Sequence, residues 1–108
     1  MHWIFAHLIG DYLLQNDWMA SNKSTHTFHA LVHVIVYCLP FSFCHLTLLQ
    51  ILLIGSQHFL QDRTQFVLWV MKIKGSTQFA TGQCSPWSLI ITDNVLHVLW
   101  IAFVVWKF

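Results

Sequence analysis

The chain has 108 residues, a formal net charge of +1, and 8 % charged against 56 % apolar side chains; a water-facing domain carries about 25 % charged residues, so these are too few to cover such a surface. Mean hydropathy is +0.60, and residues 24–61 hold no Lys, Arg, Asp or Glu, a run longer than the ~20 residues that cross a bilayer. An integral membrane protein of one domain is therefore expected over 1–108, and nucleic acid is excluded as a partner, because no basic run or stripe is present to neutralise phosphates.

The predicted class is all-α, a four-helix transmembrane bundle running up-down-up-down. The first helix covers about 1–18, and "MASNKS" (19–24) reads as a polar turn with Ser24 as N-cap of the next helix. The second covers about 25–43, with Pro40 forcing a kink or an end. A tight connection at 42–45 leads to the third, about 46–74, closed by Gly75 as C-cap. A loop rich in Gly, Ser and Thr (75–85) follows, and Ser85 and Pro86 supply the N-cap and first turn of the fourth, about 86–107. Strands fit poorly: alternation is weak, and an open sheet leaves unpaired edge amides in lipid. Trp3 and Trp18, and Trp87 and Trp106, bracket the outer helices as interfacial anchors. Lys23, Lys72 and Lys74 place the first and third connections in the cytoplasm and both termini outside. No cleavable signal peptide is expected, since the N-terminus lacks a basic region and Asp11 interrupts the apolar run.

Each helix carries one polar pair spaced i, i+4: His7 and Asp11, His29 and His33, His58 and Asp62, Asp93 and His97. That spacing sets both side chains on one face, one turn apart; random scatter of these residues gives roughly one such pair in the chain. Measured from the end bearing the first and third connections, the pairs on helices one, two and four lie roughly 8 to 14 Å deep and the third roughly 20 Å, at ~1.5 Å per residue. The third helix is the longest and is expected to project from the membrane, which lets all four pairs meet in one layer.

Imidazole and carboxylate without thiolate suit zinc, and also manganese or iron, and helical bundles build two-metal sites from such inward-facing groups. Two divalent ions bring four positive charges. Asp11, Asp62 and Asp93 supply three negative ones, and a bound hydroxide, itself a nucleophile at neutral pH, supplies the fourth. Cys38, Cys44 and Cys84 lack C-x-x-C spacing and indicate neither a disulfide framework nor a thiolate zinc site. Arg63 has two readings, an ion pair or snorkelling cation and an anion clamp beside the metals. Asn94 either orients ligand or substrate or bonds between helices. Tyr37 either supports His33 or is an interfacial aromatic, while His2, His26 and His45 fall at helix ends and read as interfacial. Gly10 and Gly55 are expected to allow close helix contact.

"HLIGDYLLQNDWMASNKS" (7–24), "ALVHVIVYCLP" (30–40), "HFLQDR" (58–63) and "IITDNVLH" (90–97) resemble, in order, the motifs of the domain-of-unknown-function 3307 family, small membrane proteins of bacteria and their viruses. The resemblance covers nearly the whole chain. It implies an inner-membrane protein of bacterial type and carries over His7, Asp11, His33, His58, Asp62, Asp93 and His97, but not His29. A looser likeness is to membrane-bound proteins predicted to be metal-dependent hydrolases. The leading expectation is a hydrolase with two metal ions, zinc first, held by those seven residues. Arg63 and Asn94 would assist, and the substrate would be a lipid or lipid-linked ester or phosphoester. The rivals are a metal or proton transport module and a non-catalytic membrane interaction protein that associates with copies of itself.

Overall fold

The computed structural model describes residues 1–82 and 87–108, apart from the side chain of Ala80. Among the described residues the chain is helical, without strands. Helix α1 (Trp3–Leu8) runs directly into a π-helical turn (Ile9–Leu13). It is followed by α2 (Asp17–Asn22), α3 (Thr27–Cys38), a 3-10 turn (Pro40–Phe43) and α4 (Leu48–Arg63). The chain ends with α5 (Phe66–Ile73), α6 (Thr77–Thr81) and α7 (Trp87–Lys107).

The expected four long helices are thus corrected to seven among the described residues, of which α7 keeps the extent expected of the fourth. The first ends early because Asn16 leaves helical geometry and caps α2, its side chain accepting from Met19 N at 3.0 Å. The second begins at Thr27, not at a Ser24 cap: His26 occupies the N-cap position and makes no side-chain cap bond. Its end is as expected, with Pro40 opening the 3-10 turn. A reciprocal capping box, Thr47 with Gln50, starts α4. The third helix stops at Thr64, which is extended (φ −114°, ψ 173°), and α5 restarts after Gln65. Gly75, with φ +78°, terminates α5 as expected, and Ser76 N–H reaches back to Met71 O at 2.8 Å. Residues 77–81, expected as loop, form α6; the Ser85 and Pro86 caps lie outside the described residues.

One helix among the described residues, α7, is long and apolar enough to cross a membrane; Thr27–Phe43 is apolar but shorter. Four membrane-spanning helices are therefore not what the fold displays. The four segments that carry the polar pairs nevertheless alternate in direction. An apolar layer of Ala6, Tyr37, Phe41, Ile54, Ile101 and Val104 occupies one level. Moving along α1 and α4 leads from that layer to the His and Asp residues, and moving along α3 and α7 leads away from them. Helices α3, α4 and α7 pack side by side, and the Trp100 indole ties α7 to α4 by donating to Leu53 O at 3.0 Å.

Gly10 and Gly55 set how near the helices come. A Cβ on Gly10 would stand 2.8 Å from Tyr37 O and from its ring, and one on Gly55 would stand 2.9 Å from Cys38 Sγ. Both contacts involve α3, so α3 is clasped between the π-helical turn and α4 as the two glycines suggest.

Polar side chains share the interior with the apolar layer, and large apolar ones lie outside. His7, His33 and His58 are fully buried, and Asp11, Asp62, Gln61 and His97 nearly so. Leu13, Leu48, Phe43, Ile35 and Leu99 face outward.

Candidate metal centre

The break at Thr64 removes the depth mismatch anticipated for the third pair. With α4 ending at Arg63, Asp62 sits in its last turn and His58 one turn below, level with the pairs on the other helices. Four donor atoms from three segments meet there. His33 Nε2 lies 2.9 Å from His58 Nε2, 3.2 Å from Asp62 Oδ2 and 3.4 Å from Asp11 Oδ1; His58 Nε2 lies 2.9 Å from Asp62 Oδ2 and 3.7 Å from Asp11 Oδ1. All four residues are buried and can hold a metal ion. Asp11, Asp93 and His97 form a second such group, with Asp11 common to both. Asp62 also spans the two, since its Oδ1 lies 3.5 Å from His97 Nε2.

The orientation of His97 follows from a chain of amides. Asp93 oxygens only accept, so Gln61 turns its NH₂ toward them, donating at 2.7 Å to Oδ1 and 2.9 Å to the backbone O. Gln61 Oε1 then accepts from Gln57 Nε2 at 2.6 Å. Gln57 Oε1 in turn accepts from His97 Nδ1 at 3.2 Å. Nδ1 is thereby held as a donor, and Nε2 faces the carboxylates of Asp62 and Asp93, each 3.5 Å away. Holding a ligating imidazole by its other nitrogen is how proteins orient metal ligands. Neither Gln57 nor Gln61 was singled out from the sequence, although they repeat the i, i+4 spacing of the pair they serve.

Aromatic stacking fixes His58, whose ring lies between Tyr37, 3.7 Å away, and His97, 4.0 Å away. His33 and His58 have no hydrogen-bond partner for Nδ1 among the described residues. Asp62 Oδ2 likewise makes no hydrogen bond, despite its short distances to His58 and His33. His33 Nε2 and His58 Nε2 do face each other at hydrogen-bond distance, 2.9 Å, with Asp62 Oδ2 beside both.

His7 reaches the edge of the cluster but joins neither group of candidate ligands. Its Nε2–H donates to Asn94 Oδ1 at 2.6 Å, which leaves Nδ1 to accept from the Tyr37 hydroxyl at 2.7 Å. The π-helical turn separates it from Asp11, which turns to His33 instead. Asn94 therefore spends its carbonyl on His7, and Tyr37 is a buried partner of His7 and His58, not an interfacial ring. His29 is outside the cluster, its ring tilted 38° against that of Trp18 at 3.9 Å.

Arg63 is likewise away from the candidate ligands. Its guanidinium donates to Thr27 Oγ1 at 3.2 Å and Ser24 O at 3.0 Å, pinning the α2–α3 connection. The cation at the cluster is Lys23, from that connection: Nζ stands 3.2 Å from Asp62 Oδ2. Sequence reasoning used Lys23 only for membrane orientation, and no local pattern links it to Asp62.

A cavity of about 520 Å³ opens on the cluster. Asp11, Asp62, Asp93, Gln61 and Lys23 are among its polar lining residues, and Val67 and Leu68 of α5 and Leu89 and Ile90 of α7 among its apolar ones. Arg63 and Asn94 are not among its walls.

Neither the curated proteins nor the solved structures contain a match to this chain. The family described as "Protein of unknown function (DUF3307)" matches over residues 1–108, and because that match spans the full sequence, the chain belongs to this family.

Proposed function

We propose that the protein is a membrane-embedded, metal-dependent hydrolase whose two-metal His/Asp centre acts on an ester or phosphoester of a lipid or lipid-linked compound. The observation that carries this reading is the spacing of His33 Nε2, His58 Nε2, Asp11 Oδ1 and Asp62 Oδ2. Each imidazole nitrogen lies 2.9 to 3.7 Å from the other and from both carboxylate oxygens, and all four atoms lie within 4.8 Å of one another. A tetrahedral zinc with ligands near 2.0 Å requires edges of about 3.3 Å. Nitrogen and oxygen donors without thiolate favour zinc and also accept manganese or iron. The second group has three ligands, which leaves a coordination position open toward the cavity, as catalytic sites require. Asp11 is the natural bridge, being shared by both groups.

Metals so held would supply hydroxide at neutral pH and polarise the scissile oxygen. Hydrolysis delivers the hydroxyl of water to the acyl carbon or phosphorus and its proton to the leaving alcohol oxygen. The residues of the chain hold the carboxylates and imidazoles in register and keep the floor of the site dry. That floor is the apolar layer containing Phe41, Ile54, Ile101 and Val104. An ion pathway would have to cross this layer, which favours a hydrolytic centre over a transport module. Outward-facing leucine and phenylalanine around a buried polar centre, together with the length of α7, support a lipid setting.

Elemental analysis of purified protein tests the centre. The unaltered chain is expected to retain divalent metal, and an Asp62→Asn, His97→Gln double variant to lose it. Equal metal content in the two, or none in either, removes the proposal. Turnover on a panel of phospholipids and lipid-linked phosphates then tests the reaction.

A further inference from the structure

We infer that the cavity over the cluster receives a singly charged phosphodiester attached to apolar chains, with Lys23 as the residue that binds its phosphate oxygen. This deepens the two-metal reading and rests on it. Lys23 supplies the one basic side chain among the described residues lining the cavity. It closes α2 as C-cap, where a cation is favoured, and its side chain is 19 % exposed while that of Asp62 is 2 %. Asp62 Oδ2, the oxygen it faces, makes no hydrogen bond. A divalent cation held by this group would compete with Lys23 for that oxygen. The ammonium, repelled by that ion, has the cavity as its remaining direction.

Charge selects the ligand. Two divalent ions exceed the three carboxylates Asp11, Asp62 and Asp93 by one positive charge, and Lys23 raises the excess to two. The attacking hydroxide cancels one. A monoanion cancels the other, which a phosphodiester does and a neutral carboxylic ester does not. A polyanion such as nucleic acid needs a row of cations, and one lysine offers none.

The wall selects the rest of the ligand. Val67 and Leu68 of α5 and Leu89 and Ile90 of α7 line the cavity together with the carboxylates. They present α5 to the cavity because the chain breaks at Thr64. Apolar side chains beside a cluster of charged ones match a molecule with a charged head and greasy tails. Arg63 is a positioning residue here: by holding Ser24 O and Thr27 Oγ1 it fixes the connection that carries Lys23.

Zinc-loaded full-length protein in dodecyl maltoside, titrated calorimetrically with dihexyl phosphate and with dimethyl phosphate against protein-free micelles, tests this. Dihexyl phosphate is expected to bind more tightly than dimethyl phosphate. Lys23→Met should weaken dihexyl phosphate binding about tenfold, as loss of one charge-assisted contact does, at unchanged zinc content, and Lys23→Arg should restore it. Leu68→Gln should weaken dihexyl phosphate alone. A zinc-replete Lys23→Met protein that binds dihexyl phosphate like the unaltered chain overturns the assignment of Lys23 and leaves the metal reading standing. Equal affinity for the two phosphates overturns the lipid class in favour of a water-soluble phosphodiester. Failure of the unaltered chain to hold zinc removes the two-metal reading itself.

Discussion

His97 can ligate a metal only through Nε2, and what directs that lone pair is two glutamines on a neighbouring helix. Gln61→Leu removes the donor to Asp93 and frees the Gln57 amide to turn, so that Nδ1 loses its acceptor. Zinc affinity, measured by competition with a chromophoric chelator, is expected to fall about 10- to 100-fold with the fold retained, the usual cost of losing a ligand's outer partner. An unchanged affinity would mean that His97 needs no such support. At this scale the sequence was informative wherever chemistry repeats along one helix. The Asp–His spacings are visible in a single pass, and Gln57 with Gln61 carries the same spacing and was overlooked because glutamine is not itself a ligand of choice. Lys23 and Arg63 were assigned less well. Each is placed by a contact between segments distant in sequence, Lys23 with Asp62 and Arg63 with Ser24 and Thr27, and periodicity contains no information about such contacts.

Helices in this chain end where their backbone is offered a better partner, and two of those ends shape the site. The π-helical turn adds a residue to one turn between His7 and Leu14, with Leu14 N–H bonded to Ile9 O at 2.9 Å. Such turns often occur at functional sites. This one lets Asp11 face His33 while His7 stays with Tyr37 and Asn94. It can press against α3 because Gly10 has no side chain: a Cβ there would stand 2.8 Å from Tyr37 O, a backbone atom that cannot move aside. Gly10→Ala is therefore expected to destabilise the fold by about 1–3 kcal/mol, the range for overpacking, and to weaken zinc binding because Tyr37 stacks on His58. A thermal melt and the same chelator competition would check it, and a melt unchanged from the parent would show that α1 can retreat without loss. The break at Thr64 is the other decisive end, since it brings Asp62 level with its partners and turns α5 into a cavity wall. Apolar patterning located all four polar-pair segments and the Pro40 and Gly75 boundaries. The polar stretch QNDW (15–18) also reads as a helix end, but not as the start of α2, and the break at Thr64 left no such mark, because a Thr inside an apolar run is a helix end only when tertiary contacts reward leaving the helix.

For the molecule as a whole, the polar centre and the apolar exterior depend on one another. Three aspartates packed together are a liability in a low-dielectric interior unless cations accompany them, so metal and fold should be linked. Chelation is expected to lower the melting temperature, with about 2.7 kcal/mol at stake when free metal stands at a hundred times its dissociation constant. The exterior makes a separate demand, and it can be tested without reference to the site. Leu99 lies near the middle of α7 and is 61 % exposed. On a water-facing helix an exposed leucine exchanged for lysine changes stability by no more than about 0.5 kcal/mol. In lipid the same exchange near a helix centre costs about 2.5–3.5 kcal/mol of insertion free energy. Leu99→Lys should therefore sharply reduce the amount of protein resisting alkaline extraction from membranes, whereas Trp106→Lys, one residue from the end of the helix, should be tolerated. If Leu99→Lys and the parent chain fractionate and melt alike, the outward leucines face water or a protein partner, and the lipid half of the functional reading fails while the metal cluster retains its case.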